Sequence, residues 1–490
     1  MGCNLADPVW TLGEVISATG GRCEGEPAAP ISGFSIDSRA LEPGIGFIAI
    51  RGPNRDGHDF VPKALDAGAG CAIVEETFPD ESHLEASEAR EAGEAPGDLD
   101  ETRLVRVRDT FDALNDLGRE GRDRTEHAVV IGVTGSAGKT GTKEALRAAL
   151  EPSGTVHASA KSFNNHWGVP LTLANMPRDI DYGVFELGMN HAGEIAALSR
   201  LVRPQIAIVT TVAPVHLGFF ASVEEIADAK AEIFEGLEPG GAVVLNRDNP
   251  HFERLAAAAR GEGAEIVSFG EDERSKVRLL NCDLTPDDST VTADVLGETL
   301  TYRTGAPGRH VVQNTLAVLA AVKLAGADLR AAAKALGAVQ ATAGRGERSI
   351  IVTEQQPVCI VDESYNANPA SMRAALATLG LTPRGEYRRR VAVLGDMLEL
   401  GEEGPRLHRE LAEAVDAAGI DVVFACGECM ASLFEALPQA RRGSYAETSE
   451  GLAPDLLSEV RPGDIVVVKG SLGSRMEPLV AALKRRFEDC

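Results

Sequence analysis

The segment His127-Ala-Val-Val-Ile-Gly-Val-Thr134, continued by Gly135-Ser-Ala-Gly-Lys-Thr140, decides the fold. An apolar run of strand length passes into a glycine-rich turn, and apolar residues at three-to-four spacing over 139–151 mark a helix. A strand, a glycine turn and a helix in that order set backbone amides and a helix N-terminus around phosphate oxygens. Gly135, Ser136, Ala137, Gly138, Lys139, Thr140 and Gly141 are therefore the nucleotide-binding candidates. Lys139 has the reach for β and γ phosphates, and the Thr140 hydroxyl is suited to magnesium. Val133 occupies the first glycine position of the strict G-x-x-x-x-G-K-T spacing and Gly135 is offset. The loop is recognised from its context and from its intact G-K-T.

Outward from this loop the chain alternates strands and helices. Strands are expected at 182–187, 205–212 and 241–246, and helices at 223–237 and 311–339, which makes a parallel, doubly wound sheet. A later block repeats the rhythm with strands at 358–362, 390–394, 421–425 and 464–469, a Rossmann-like sheet without a G-x-G-x-x-G turn. The first block has short apolar stretches at 46–50 and 70–74 broken by turns, as in a small α/β domain. The expected division is 1–110, 111–343 and 344–490. Residues 76–101, rich in Glu, Ala, Asp and Gly, read as a solvated acidic insertion.

The 490 residues are 44% hydrophobic and 25% charged, which excludes a disordered or fibrous chain and favours about three domains. Lysine and arginine number 48 against 74 acidic residues, a net charge of -26. That balance argues against nucleic acid or anionic lipid as partner, so phosphate must be bound by a local site. No stretch has the length of a membrane span and the start lacks a basic leader, so a cytoplasmic protein is expected. The 8 cysteines are scattered. Cys426-Gly-Glu-Cys429 has redox spacing, but two semi-buried thiols at a strand-to-helix turn is the favoured reading.

Magnesium ligands should lie at the ends of neighbouring strands. Glu186 ends an apolar strand, where a carboxylate is costly unless a cation meets it. His216 follows the next strand, and Lys230 lies on an amphipathic helix; alone, each reads as an ordinary structural or exposed residue. From the residues themselves the reading reaches a magnesium- and ATP-dependent phosphoryl-transfer enzyme.

The motifs together resemble the Mur ligases of bacterial cell-wall synthesis. Those carrying the resemblance are Asp37-Ser-Arg39, Asp56-Gly-His58, the loop 134–140, Phe163-Asn-Asn165, Gly168-Val-Pro170, Glu186-Leu-Gly188 and Asn190-His191. They continue with Ala229-Lys-Ala-Glu232, Gly308-Arg-His310, Asn314, DESYNANPASM at 362–372, LGDMLELG at 394–401 and Lys469-Gly-Ser471. The resemblance implies three domains: one holding a UDP moiety, a central ATPase and a Rossmann-like C-terminal domain. It implies ATP-driven peptide bond formation through an acyl phosphate, with UDP-N-acetylmuramoyl-tripeptide and D-alanyl-D-alanine as substrates; a monomer is the expectation, though the sequence does not fix oligomeric state.

Carried over by residue, it makes Thr140, Glu186, His216 and Lys230 metal-site residues, Lys230 as a carbamate formed with CO2. Lys139, Lys230, His216 and Arg345 become catalytic, Arg345 closing on the γ-phosphate. Asn246 and Asn314 fall on the adenine side and Asp362 at the ribose. Ser38, Arg39, Asp56, His58, Asn164 and Asn165 fall to the UDP-peptide, and Asn366, Asn368 and Lys469 to the acceptor region. Gly141, His166, Trp167 and Leu472 depart from the family pattern. A ligase adding a third amino acid is the nearest rival, but its D-N-P-R signature is absent. Folylpolyglutamate synthetase would lack the UDP domain, and a non-catalytic phosphate-loop switch would not need Glu186, His216 and Lys230 together.

Overall fold

The structure is a computed structural model describing residues 9–24, 30–39, 41–79, 99–160 and 162–488. Most of the acidic insertion, 80–98, lies outside the described residues. By contacts the chain divides into two compact units. The first comprises Met1–Gly132, Gly154–Leu187 and Ala197–Pro204; the second comprises Val133–Ser153, Gly188–Ala196 and Gln205–Cys490.

The first unit is built on a four-stranded parallel sheet of Gly33–Ser35, Ile45–Ile48, Cys71–Glu75 and Leu104–Val107. Asp109 caps the helix Thr110–Asp123, its carboxylate accepting from Phe111 and Asp112. This unit takes in more than the expected block 1–110, for a packing reason. Leu171 and Ala174 of the helix Gly168–Ala174 join Trp10, Phe34 and Leu114 in one core. Trp10 Nε1 donates to the Ala174 carbonyl at 2.7 Å, and the Asn175 amide bonds both polar backbone groups of Phe34. A parallel pair, Val156–Ala158 beside Tyr182–Glu186, completes the unit and delivers Glu186 at its end.

In the second unit, Ile206–Val209, Ala242–Asn246 and Glu265–Gly270 run parallel as the alternation predicts. Beyond them the sheet turns antiparallel through Val277–Leu284, Ser289–Val295 and Glu298–Thr304. The expected parallel strands are thus extended by an antiparallel end into a mixed sheet. Over Ser289–Val295 alternate residues are buried, the period of a half-buried strand. The expected helix 311–339 is two helices, Arg309–Leu324 and Leu329–Ala335. Gly326 breaks the run at φ +72°, and Asp328 caps the second helix.

Residues 347–469 form a six-stranded sheet ordered Glu347–Ile351, Val358–Glu363, Asp464–Lys469, Arg389–Gly395, Val422–Cys426, Arg442–Ala446. Only its first strand is antiparallel, and apolar cores cover both faces, as expected of a Rossmann-like sheet.

Candidate active site

In the second unit the phosphate loop is held largely from the segment 210–213. Thr210 Oγ1 donates to the Ala137 carbonyl at 2.6 Å, and the Thr210 amide donates to Thr134 O at 3.0 Å. Ser136 is tied on both sides: its amide reaches Thr211 O at 2.8 Å and its hydroxyl reaches Ala213 O at 3.1 Å. Gly138 enters the helix Lys139–Leu150 at φ +83°, with the Asn314 amide against it. A Cβ at Gly138 would stand 2.7 Å from Asn314 Nδ2. Lys139 Nζ donates to Gly135 O at 2.8 Å. Gly141 faces open space.

Asn368 reaches this loop from the C-terminal sheet. Its side-chain oxygen accepts from Ser371 N to cap the helix Pro369–Gly380, and its Nδ2 donates to Ser136 O at 3.3 Å. Sequence reasoning set Asn368 with the acceptor residues; the structure sets it on the phosphate loop. Asn246 accepts from Asp248 N at 2.9 Å within its own turn. Asn249, which sequence reasoning missed, bridges to Thr211 Oγ1 and Val212 O at 3.0 and 2.8 Å. Its signal was only an asparagine three residues past a strand end.

Lys230 lies on Val223–Ala231, 2% exposed, with Met189 Sδ 3.9 Å from Nζ. Burial, reinforced by the charge of Lys139, holds its pKa well below the usual lysine range. His216 has φ +55° and bonds through Nδ1 to Glu399 Oε2 at 2.5 Å. Burial lowers its pKa; Glu399 opposes this, while Lys230 and Lys139 add to it.

Arg345 stacks on the Tyr365 ring at 4.2 Å in the turn preceding Glu347–Ile351. Beside it is a cavity of about 60 Å³ lined by His310, Arg345, Glu363 and Thr378 among others. The Asp362 carboxylate is buried and spent on this turn. It accepts from Gly344 N at 3.0 Å, Ser364 N at 3.1 Å and Ser364 Oγ at 2.6 Å. These three bonds make it a strap across the turn. Lys469 is also internal, bonding Glu363 at 3.0 Å and the Asn366 carbonyl at 2.9 Å, while Asn366 itself is exposed.

In the first unit Asn164 Nδ2 donates to Glu186 Oε1 at 2.7 Å, joining two candidates 22 residues apart. Asn165 Oδ1 accepts from Trp167 N and Gly168 N, capping the helix Gly168–Ala174. Ser38 and Arg39 lie in the turn after Gly33–Ser35, where Asp37 holds the exposed Arg39 guanidinium by two bonds of 2.9 and 2.8 Å. His58 is fully buried, with Nδ1 2.6 Å from Asp56 and Nε2 accepting from Glu75 N at 3.0 Å. In this arrangement the imidazole braces Asp56. Burial alone would raise the Asp56 pKa, but the bonds from His58 hold it below the usual carboxylate range.

The cysteine pair takes the bland reading. Burial pushes the Cys426 thiol up to about 12 and raises Cys429 as well, and Cys426 contacts Met476 Sδ at 3.5 Å. Both cysteines are free. Asp396 caps the helix that follows, accepting from Met430 N at 2.8 Å.

Among the described residues no cluster of three or more His, Cys, Asp or Glu is placed to hold a metal by itself. Taken unit by unit, the buried Glu186 of the first offers a carboxylate and the buried Thr140 of the second a hydroxyl, each a hard oxygen of the type magnesium takes.

Comparison with known proteins matches residues 30–118 to the Mur ligase family, catalytic domain, 133–322 to the Mur ligase middle domain, and 344–472 to the Mur ligase, glutamate ligase domain. The UDP-N-acetylmuramoyl-tripeptide–D-alanyl-D-alanine ligase of Rickettsia prowazekii (strain Madrid E) is 31% identical over 446 residues, covering 91% of this chain and 93% of that protein. A crystal structure of MurF from Acinetobacter baumannii superposes with a TM-score of 0.82 at 29% identity, covering 98% of this chain and all of that one. MurF ligase from Thermotoga maritima in complex with ADP gives 0.73 at 25% identity, covering 93% and 98%.

Proposed function

The chain belongs to the Mur ligase family, and we propose that it joins D-alanyl-D-alanine to the free carboxylate of a UDP-N-acetylmuramoyl-tripeptide at the expense of ATP. The observation that carries this reading is the extent of the match. All three segments of the chain have a family counterpart, and relatives named for this dipeptide reaction align over more than nine-tenths of it.

A carboxylate is a poor electrophile with a poor leaving group, so it must be activated before an amine can attack. Transfer of the γ-phosphoryl of ATP to the tripeptide carboxylate gives an acyl phosphate and ADP. The free amine of the dipeptide then adds to the acyl carbon, loses a proton, and phosphate leaves. The braced loop binds the phosphates through backbone amides, and Lys139 exchanges its bond to Gly135 O for phosphate oxygens. Thr140, Glu186, His216 and Lys230 would hold magnesium, which when bound neutralises charge on the transferred phosphoryl. Arg345 supplies a further positive charge from the C-terminal side.

Lys230 becomes an oxygen donor by carbamylation: its neutral amine attacks CO2, forming an N–C bond and releasing a proton. Support comes from its burial and depressed pKa, which keep the nucleophilic free base available. The first unit binds the UDP-linked substrate, with Arg39, Asp56 and Asn164 as contacts. The domain limits proposed are 1–110, 111–343 and 344–490 by family role. A cytoplasmic location follows from the substrates; among the described residues no helix is long and apolar enough to cross a membrane.

The test is ATP-dependent phosphate release with UDP-N-acetylmuramoyl-tripeptide, comparing D-alanyl-D-alanine with D-alanine, meso-diaminopimelate and lysine. Release triggered by the dipeptide alone supports the reading. Release with a single diamino acid on the dipeptide-level precursor would make the protein the preceding ligase.

A further inference from the structure

Two non-glycine residues in the left-handed backbone region meet each other in the second unit. His216 has φ +55° and Glu399 φ +64°, a conformation uncommon outside glycine, asparagine, aspartate and histidine, so that Glu399 is the unusual one of the two. They are 183 residues apart in sequence, and two hydrogen bonds join their segments. The His216 ring bonds through Nδ1 to Glu399 Oε2 at 2.5 Å, and the Gly218 amide donates to the Glu399 carbonyl at 2.9 Å. Gly401, at φ +58°, packs beside them, where an added Cβ would lie 3.4 Å from the Gly218 Cα.

The Glu399 loop is fixed from its own side. The Met397 amide donates to His408 Nε2 at 2.9 Å, the Leu398 amide donates to Ser471 Oγ at 3.0 Å, and the Ser471 amide donates to Asp396 O at 3.0 Å. Strain persists where surrounding contacts over-determine it, and here it falls on Glu399, the partner whose residue type seldom takes a positive φ. A carboxylate on one ring nitrogen of a histidine makes that nitrogen the donor and leaves the lone pair on the other.

We infer that Glu399 is a positioning residue for His216: it fixes the ring with Nε2 as the ligand atom, and does so only when the 396–401 loop is docked against 216–218. The inference rests on the proposed role of His216 at the magnesium site. It adds that the C-terminal sheet completes that site through a residue that touches neither metal nor nucleotide. A ligand histidine freed of its carboxylate partner loses both tautomer and direction, which typically weakens metal binding about 10- to 100-fold.

The experiment measures Mn2+ affinity by electron paramagnetic resonance on the full-length protein with ADP present, for wild type, Glu399→Ala, Glu399→Gln and Glu399→Asn. Metal-free ADP binding in EDTA is the control. Glu399→Ala should weaken Mn2+ by about 10- to 100-fold with the EDTA control unchanged. Glu399→Gln, which keeps an acceptor oxygen at full reach, should retain most of the affinity. Glu399→Asn suits the left-handed backbone but is too short for the ring, so it should lose as much as alanine and stands in if alanine does not fold. Unchanged Mn2+ affinity in the alanine or asparagine variant, or equal loss in the glutamine variant, overturns the proposal. Failure of the dipeptide-ligase reading would appear instead as no dipeptide-dependent phosphate release from wild type, and would leave the Mn2+ comparison standing.

Discussion

Gly135→Ala tests whether the phosphate loop owes its shape to Thr210. Gly135 has φ +147°, and a Cβ there would stand 1.9 Å from Thr210 Oγ1 and 3.2 Å from the Thr210 amide nitrogen. Two penalties arise. The backbone leaves a region open only to glycine, at about 1–2 kcal/mol. The Thr210 hydroxyl must also rotate away and abandon the Ala137 carbonyl, which leaves a half-buried acceptor unpaired at about 1–3 kcal/mol. A combined loss of about 2–5 kcal/mol falls on the conformation that binds phosphate, and its lower bound is about 30-fold in affinity. The assay is ADP binding by calorimetry, with circular dichroism to establish that the variant folds. Adding Thr210→Ala should recover part of the loss, because it removes the atom that collides. ADP binding within threefold of wild type in Gly135→Ala would refute the reasoning.

Lys230→Met should lower ligation by about 100-fold or more while leaving the melting temperature equal or higher, since a buried amine is replaced by an apolar chain. Its pKa is depressed in the folded chain, so the unfolded chain binds more protons below the ordinary lysine range. Wild-type stability therefore rises with pH through that window, and the difference from Lys230→Met narrows; a gap independent of pH would contradict this. Asp362→Ala removes three hydrogen bonds to a buried carboxylate and should cost about 2–4 kcal/mol in denaturant unfolding, with faster hydrogen exchange at Gly344. Cys426 should resist iodoacetamide at pH 8 in the native protein and react once unfolded, because its thiol is raised to about 12. Because the unfolded thiol ionises first, this group reduces stability as pH rises from the ordinary thiol range towards 12; rapid native labelling or a Cys426–Cys429 disulfide would count against the burial argument.

What could be read from the sequence was what is local. The phosphate loop is a contiguous strand, turn and helix, and Glu186 sits where an apolar run ends, so spacing alone located both. The strand Asp464–Lys469 matches its expected limits for the same reason: a short apolar run bounded by turns. The antiparallel strands from Val277 to Thr304 were missed although their alternation was visible, because the βα rhythm before them suggested more of the same. Pairings across long sequence separations left no local signal. Asn368 on Ser136, Glu399 on His216 and the Asn175 amide on Phe34 are 232, 183 and 141 residues apart. His58 and Asp362 carry motif positions, and only the packed structure reveals that their polar atoms are already spent internally.

The most direct measurement is the intact mass of the product formed from UDP-N-acetylmuramoyl-tripeptide, ATP, Mg2+ and D-alanyl-D-alanine. The account predicts a single product heavier by one D-alanyl-D-alanine residue pair, formed with one ADP and one phosphate and absent without ATP. Unchanged precursor mass while ATP is consumed, or incorporation of a single amino acid in place of the dipeptide, would contradict it.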